Sequence, residues 1–492
     1  MRRIAFLFAC VLLPLACQVR ADEVQPEAPQ SVVRVNVTNQ PWDFGRPWGK
    51  RPPYSRRAIG TILSDNRVLV TAELVANANY VELETAEGGQ KVPARVEVVD
   101  YEANLALLKT DDATFLKPFK PLELTHAHIG DTLSVWQLEN TGTLLVTKGP
   151  LTTAEVTRYP IDDSALLVYR MTTPLQFRDS SFTLPVVKDG KLAGLVMRYD
   201  NTTNNAEILP APVIEHFLLD AKKAPYEGFA RIGITSSPTR DPQFRKYLGL
   251  DANTPGGVYI ADVQRDGPAA LGGVEQGDVL LQVDGQAVDQ DGNYRDQEYG
   301  KLGLAYLFST KHFDGDKVKC IVFRKGEKKE LDVTLKHRPV ESYVVEPYII
   351  DRAPRFYVLG GLVLQELSRQ YLKEYGNDWQ KKAPENFVYF DHQQNELFKN
   401  GPKKIVFLNR VLPSEMTVGY EELSQLVVTK INDLAIQSLD DVPKALAHPI
   451  NGLDKIEFDG EPKIIFLDAA QVEAEAAGFQ KKYRLPELQH LN

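Results

Sequence analysis

Cysteine is scarce in this sequence, with three in 492 residues. Cys10 and Cys17 fall in an apolar N-terminal stretch, which leaves Cys320 alone in a strand-like run. A disulfide framework is therefore excluded, and Cys320 reads as a small buried hydrophobe rather than a reactive thiol. None of the eight histidines stands in H-E-x-x-H or in any clustered ligand spacing, so no metal is expected. No glycine-rich phosphate loop occurs, which argues against a nucleotide, and no other cofactor is implied. Basic excess is missing too: 57 Lys and Arg face 66 Asp and Glu, a net charge of -9. A nucleic-acid partner needs the opposite sign. The longest apolar run, Ile4 to Ala16, is about thirteen residues, short of the roughly twenty a membrane-spanning helix requires.

What stands at the N-terminus has the pattern of a secretory signal peptide over residues 1–21. Arg2 and Arg3 precede the apolar run, and Val19-Arg20-Ala21 makes an A-x-A-like cleavage site. An exported protein, periplasmic or secreted, is the expectation. A chain of this length divides into about three domains. Residues 22–57 read as a linker with an N-terminal strand near Val32, because Pro41 to Arg57 is rich in proline, glycine and basic residues; Trp42 and Trp48 fall inside it. Residues 58–222 form many short β-type runs and a closing helix, the pattern of a sandwich or barrel. Residues 228–339 and 343–482 mix strands with short helices, and the second ends in an Ala- and Glu-rich helical segment.

The most specific signal is Gly277-Asp278-Val279-Leu280-Leu281-Gln282-Val283-Asp284-Gly285, preceded by Asp266-Gly267-Pro268-Ala269-Ala270. A small-residue helix start, a tight Gly-Asp turn, an apolar strand and an Asp-Gly hairpin follow one another. This segment resembles the core of a PDZ domain. The order of segments along the chain resembles the Deg/HtrA, or Do-like, serine proteases, closest to plant-type members with a second, divergent PDZ domain. Ile208 to Phe217 looks like the end of that family's protease domain, and Gly303-Leu304-Ala305-Tyr306-Leu307-Phe308-Ser309 like its groove helix. Phe356 to Val363, Val418 to Glu422 and Ile431-Asn432-Asp433 look like the second PDZ domain. The resemblance implies a mainly β protein, a trypsin-like double β-barrel followed by two PDZ-like α+β domains. It further implies that Arg231, Ile232, Gly233 and Ile234 form the loop receiving a peptide C-terminus, with Leu304 and Leu307 closing the groove. The implied partners are peptide or protein C-termini. The implied assembly is a trimer-based homo-oligomer or a mixed oligomer with an active relative.

The family pattern fails where chemistry should occur. The histidine of its T-x-A-H-V-type segment is replaced by Glu73 in Val70-Thr71-Ala72-Glu73-Leu74-Val75. The aspartate before L-A-L-L is Asn104, and the G-N-S-G-G-P loop reads Arg178-Asp179-Ser180-Ser181-Phe182-Thr183. Ser180 survives at the nucleophile position without a glycine beside it. A glutamate with an ordinary pKa near 4.3 has no proton to return to a leaving amine. Asn104 cannot orient an imidazolium, and the loop residues resist the bend of an oxyanion hole. Losing a single triad member costs on the order of ten-thousandfold in rate. The leading expectation is a pseudoprotease that binds peptides or acts as a scaffold in envelope protein quality control. The alternatives are an active serine endopeptidase with a shifted set, Ser180 or Ser181 with His126 or His128 as base, and a purely structural subunit.

Overall fold

The computed structural model describes residues 30–112, 114–139, 141–161, 164–175, 183–250, 254–397 and 403–492. The signal segment with Cys10 and Cys17, and Ser180, Ser181 and Phe182 of the nucleophile loop, lie outside the described residues.

Alternating valines build the first barrel. Its strands are β1 (Val32–Asn39), β2 (Tyr54–Ile62), β3 (Val68–Val70), β4 (Ala78–Glu84), β5 (Lys91–Asp100) and β6 (Leu105–Thr110), with α1 (Ala72–Val75) after β3. They close in the order β1-β2-β3-β6-β5-β4. Val33, Val35 and Val37 project inward from β1 onto Val68, Val70, Leu83 and Leu108, as the two-residue period of a strand dictates. The second barrel uses β7 (Thr132–Leu138), β8 (Leu144–Arg158), β9 (Ala165–Thr172), β10 (Leu184–Lys188), β11 (Lys191–Asp200) and β12 (Asn205–Pro210), followed by α2 (Ala211–Asp220). Its cycle, β7-β8-β9-β12-β11-β10, repeats the connectivity of the first, the trypsin-like arrangement.

The next unit holds β13 (Ile234–Ser237), α3 (Pro242–Tyr247), β14 (Val258–Val263), α4 (Pro268–Leu271), β15 (Val279–Val283), β16 (Gln286–Ala287), β17 (Asn293–Asp296), β18 (Gly300–Gly303), α5 (Leu304–Ser309), β19 (Lys317–Arg324) and β20 (Glu327–Thr334). The Asp284-Gly285 turn between β15 and β16 has both φ angles positive, +46° and +77°, as a two-residue hairpin requires. The last unit holds β21 (Phe356–Leu359), β22 (Leu362–Glu366), α6 (Arg369–Leu372), α7 (Trp379–Lys382), α8 (Glu385–Leu397), β23 (Val406–Val411), β24 (Leu426–Ile431), β25 (Leu434–Ala435), α9 (Val442–Leu446), β26 (Leu453–Phe458), β27 (Ile464–Asp468), α10 (Ala469–Tyr483) and β28 (Gln489–His490). The sheet order β13-β14-β15-β19-β20 recurs as β22-β23-β24-β26-β27, with the short strands β16 and β25 in matching places. The second sheet continues past β22 into β21 and β28. Among the described residues no helix is long and apolar enough to cross a membrane.

Three sequence expectations change. The first barrel takes in β1 and β2, so the unit expected from residue 58 begins at Val32. The third unit does not stop at residue 482, because β28 pairs with β21. The stretch read as a linker is an ordered excursion between β1 and β2 that docks on the third unit. Phe44 is buried against Leu367, Tyr371, Phe387 and Phe407, and its carbonyl accepts from Gln365 Nε2 at 3.0 Å and Asn409 Nδ2 at 3.2 Å. Trp48 packs edge-on against Phe356 with centroids 6.1 Å apart. Truncating Phe44 to alanine empties that contact, so Phe44→Ala is expected to cost about 3 kcal/mol, read as a lower urea midpoint for the third unit.

The second barrel and the first PDZ-like unit share one continuous apolar core, in which Tyr169, Val196 and Phe217 join Phe229, Leu304 and Leu307. Burial keeps Cys320 inert: it is fully buried and its thiol pKa is pushed up to about 12.

Candidate functional site

Two of the three positions singled out in the sequence, Glu73 and Asn104, lie together in the first barrel. Thr71 occupies the N-cap position of α1 without a side-chain capping bond, and Glu73 falls in the first turn. Asn104 sits at the end of the β5–β6 loop with φ +55°, a left-handed conformation that asparagine tolerates better than most residues. It is wholly buried, and its Oδ1 accepts the Glu73 backbone N–H at 3.0 Å. That bond fixes the amide's orientation and leaves Nδ2, a donor, without an acceptor among the described residues. The Glu73 main chain is also held by Arg56, whose Nη1 donates to the Glu73 carbonyl at 2.5 Å, while Arg56 Nη2 lies 3.8 Å from Glu73 Oε1. Burial raises the Glu73 carboxyl above its ordinary range, opposed by the charges of Arg56 and Arg198. Glu73 is thus a stronger base than a solvated glutamate. Immediately after that loop, Thr183 is buried with its hydroxyl bonded to the Thr71 hydroxyl. The segments of Glu73 and Asn104 are thus joined directly, and Thr183 approaches the first of them through Thr71.

His126 and His128, the alternative base candidates, lie among carboxylates. Their ring nitrogens face Glu215, Glu298 and Asp131 at the seam between the second barrel and the first PDZ-like unit.

The expected groove residues fall in three different surroundings. Gly233 has φ +76°, which favours glycine, and an added Cβ would lie 3.1 Å from Gln264 Oε1, so that side chain would have to shift by a few tenths of an ångström. The Gln264 N–H donates to the Gly233 carbonyl at 2.9 Å, which makes Ile234 and Val263 a non-hydrogen-bonded pair. The N–H and C=O of Ile234 therefore point off the outer edge of β13, the terminal strand of its sheet. Such an edge can accept an extra strand. Ile232, Leu304 and Leu307 are buried in the shared core, and α5 lies against β9 of the second barrel.

Arg231, expected to add charge for a peptide carboxylate, is committed elsewhere. Its Nη2 is 2.6 Å from Glu102 Oε2 of the first barrel, and it also bonds Ser164 of the second barrel and the Tyr343 hydroxyl. Glu102 is almost fully buried, and His337 Nε2 approaches its other oxygen at 3.3 Å. The sequence offers no sign of this junction, because Arg231 and Glu102 are 129 positions apart.

The corresponding edge of the last unit is not open. Hairpin residues Gly360 and Gly361, with φ +58° and +119°, fold β21 back onto β22, so the chain's own strand occupies the place that is free beside β13. Leu439, just before α9, donates its N–H to Glu366 of β22 at 2.9 Å.

Comparison with known proteins agrees with this architecture. The PDZ domain family matches residues 230–335 and again residues 345–489. Protease Do-like 2, chloroplastic, of Arabidopsis thaliana is 28% identical over 422 residues, covering 83% of this chain and 66% of that protein. The chain thus spans about two thirds of that relative's length. Putative protease Do-like 13 of the same plant is 24% identical over 460 residues, covering 93% of this chain and 87% of the relative. A solved HtrA-type protease, AlgW with decapeptide, aligns over 63% of this chain and 97% of its own at 19% identity and a TM-score of 0.48.

Proposed function

The chain is a member of the Deg/HtrA, or Do-like, serine protease family with two PDZ domains, and from that premise we propose that it works as an exported, catalytically inactive peptide-binding scaffold in protein quality control. The observation that carries the inactive reading is Asn104. Its carbonyl oxygen is taken by the Glu73 N–H, and a donor stands where a triad needs an acceptor. Peptide capture is assigned to the first PDZ domain, because β13 has an open edge whereas β22 is paired with β21. With Arg231 bound to Glu102, a peptide carboxylate is held by backbone N–H groups of the Ile232-Gly233-Ile234 loop, and a hydrophobic last residue is preferred. Trimer-based assembly, alone or with an active relative, and a periplasmic or secreted location complete the proposal.

One observation favours a second reading, a working endopeptidase: burial raises the Glu73 carboxyl toward useful basicity.

Calorimetry of the full chain against C-terminal peptides tests the binding assignment. Free-carboxylate peptides are expected to bind and amidated ones to bind at least about tenfold more weakly, since the carboxylate's hydrogen bonds are charge-assisted. Gly233→Val, strained at φ +76°, is expected to abolish the difference. Equal binding of both peptide forms to the parent chain would remove the carboxylate-loop assignment.

A further inference from the structure

Four of the eight histidines, His126, His128, His216 and His337, lie where the barrels meet the first PDZ domain. Three of them face carboxylates, in two clusters of opposite polarity. In the first, the tip between β17 and β18 delivers one PDZ carboxylate, Glu298, to the barrel. Glu298 Oε1 is 2.9 Å from His126 Nδ1 and 3.3 Å from His128 Nε2, and it accepts from the Tyr299 hydroxyl at 2.9 Å. The Tyr299 hydroxyl in turn contacts that of Tyr169 on β9 at 2.6 Å. The other nitrogen of His126 is 3.1 Å from Glu215 Oε2 on α2. On the barrel side, Asp131 Oδ2 lies 3.7 Å from His128 Nδ1 and 2.5 Å from Lys188 Nζ. In the second cluster the barrel supplies the carboxylate: Glu102 receives Arg231 and His337 from the PDZ side. Asp100, bonded to the Tyr226 hydroxyl, is buried beside it.

A carboxylate only accepts, so His126 can satisfy Glu298 and Glu215 together only when both ring nitrogens carry protons. Imidazole loses its second proton near neutrality. We propose that docking of the first PDZ domain onto the protease-like barrels is proton-gated, held while His126, His128 and His337 are charged and loosened as they lose their protons. The directions agree at the buried end. Burial alone would lower His337, but the hydrogen bond and charge of Glu102, with the charge of Asp100, outweigh it and raise its pKa above the ordinary 6.5. A raised histidine contributes fully below that ordinary value and loses its contribution as pH climbs through the docked value. Glu102 shifts the other way: burial would raise it, but the Arg231 charge and the His337 bond hold it below 4.5, so it is ionised wherever His337 is charged near neutrality. His216 takes no part, because burial among Phe229 and Phe313 lowers its pKa to about 4 and keeps it neutral.

The Glu298 hairpin runs directly from β18 into α5, so loosening is expected first in residues 293–309. This proposal does not depend on whether the groove binds peptide. Hydrogen exchange of the full chain, corrected for the intrinsic pH dependence, reads it as protection of those backbone amides. Exposed ion pairs are individually worth little, and the buried Glu102–His337 pair adds more, so protection is expected to fall about tenfold between about pH 6 and about pH 8.5. The triple variant H126Q/H128Q/H337Q is expected to show the low protection at both pH values. Should the triple variant fail to fold, E298Q alone is expected to flatten the pH dependence in residues 293–303. Protection that does not change with pH in the parent chain, or a pH dependence that persists unchanged in these variants, would overturn the proposal.

Discussion

Glu73→His is expected to leave the chain as inactive as its parent. An imidazole at position 73 would meet the Asn104 amide, whose Oδ1 is already bound by the residue 73 N–H at 3.0 Å. The amide then presents Nδ2, a donor, to the ring. A ring nitrogen facing a donor must accept, which puts the proton on the other nitrogen, the one that should remove a proton from serine. That tautomer error alone is worth on the order of ten-thousandfold in turnover. Adding Asn104→Asp supplies the acceptor, and the doubly substituted chain should gain relative to the single variant. It should still fall about a hundredfold or more below an active relative, because Arg178 to Thr183 contains no glycine to form an oxyanion hole. Fluorogenic peptide hydrolysis across the parent, single and double variants measures both steps, and recovery in the single variant would show that Asn104 is not the defect described.

Arg231→Met is expected to be among the most damaging single substitutions for stability. It leaves Glu102, almost fully buried between the barrels and the first PDZ domain, without its closest cation. Breaking a buried pair by removing one partner costs about 3–5 kcal/mol, and the retained His337 contact places this case near about 3 kcal/mol. The sign with pH follows from linkage. Glu102 has a depressed pKa in the native chain, so its contribution is present above the ordinary value of 4.5 and is lost as pH falls through the depressed one. Without Arg231 the carboxyl becomes easier to protonate, so the cost should shrink at acid pH. Urea unfolding of the parent and Arg231→Met chains at about pH 7 and about pH 5 checks both magnitude and trend. Equal loss at both pH values would mean that the damage comes from packing of the arginine stem and not from the stranded charge. Arg231→Lys should rescue only in part, because a single ammonium cannot reach Glu102, Ser164 and Tyr343 together.

What the sequence made legible was local. Gly277 to Gly285 carries its structure in turn chemistry, since Asp284-Gly285 permits one conformation and the apolar strand before it another. Glu73 and Asn104 stand out in the sequence because each interrupts a short run whose neighbours match the family pattern. Contacts between units were hidden. Phe44 reads as part of a proline-rich linker, and its partners Gln365 and Asn409 lie more than 300 positions away. Arg231 sits in a loop whose family role suggests a ligand, while its carboxylate comes from the first barrel. The pairing of β21 with β22 could not be read from Leu359-Gly360-Gly361-Leu362 alone, because a Gly-Gly turn also suits a ligand-binding loop. Sheet edges and buried ion pairs are decided by tertiary approach, and no window of sequence contains both partners. His126 and His128 show the converse: isolated histidines in a turn-rich stretch acquire a role only when Glu298 is brought to them from the PDZ hairpin.

The central claim is that this double barrel retains the architecture of a serine protease without its chemistry. It is tested most directly on the purified parent chain by measuring casein cleavage together with labelling by a serine-reactive fluorophosphonate, beside Ser180→Ala and Ser181→Ala controls. Neither cleavage nor labelling is expected above the level of the two alanine variants, since neither a correctly oriented base nor glycines for an oxyanion hole are encoded. Casein cleavage that either alanine substitution abolishes would contradict the account and establish a working nucleophile.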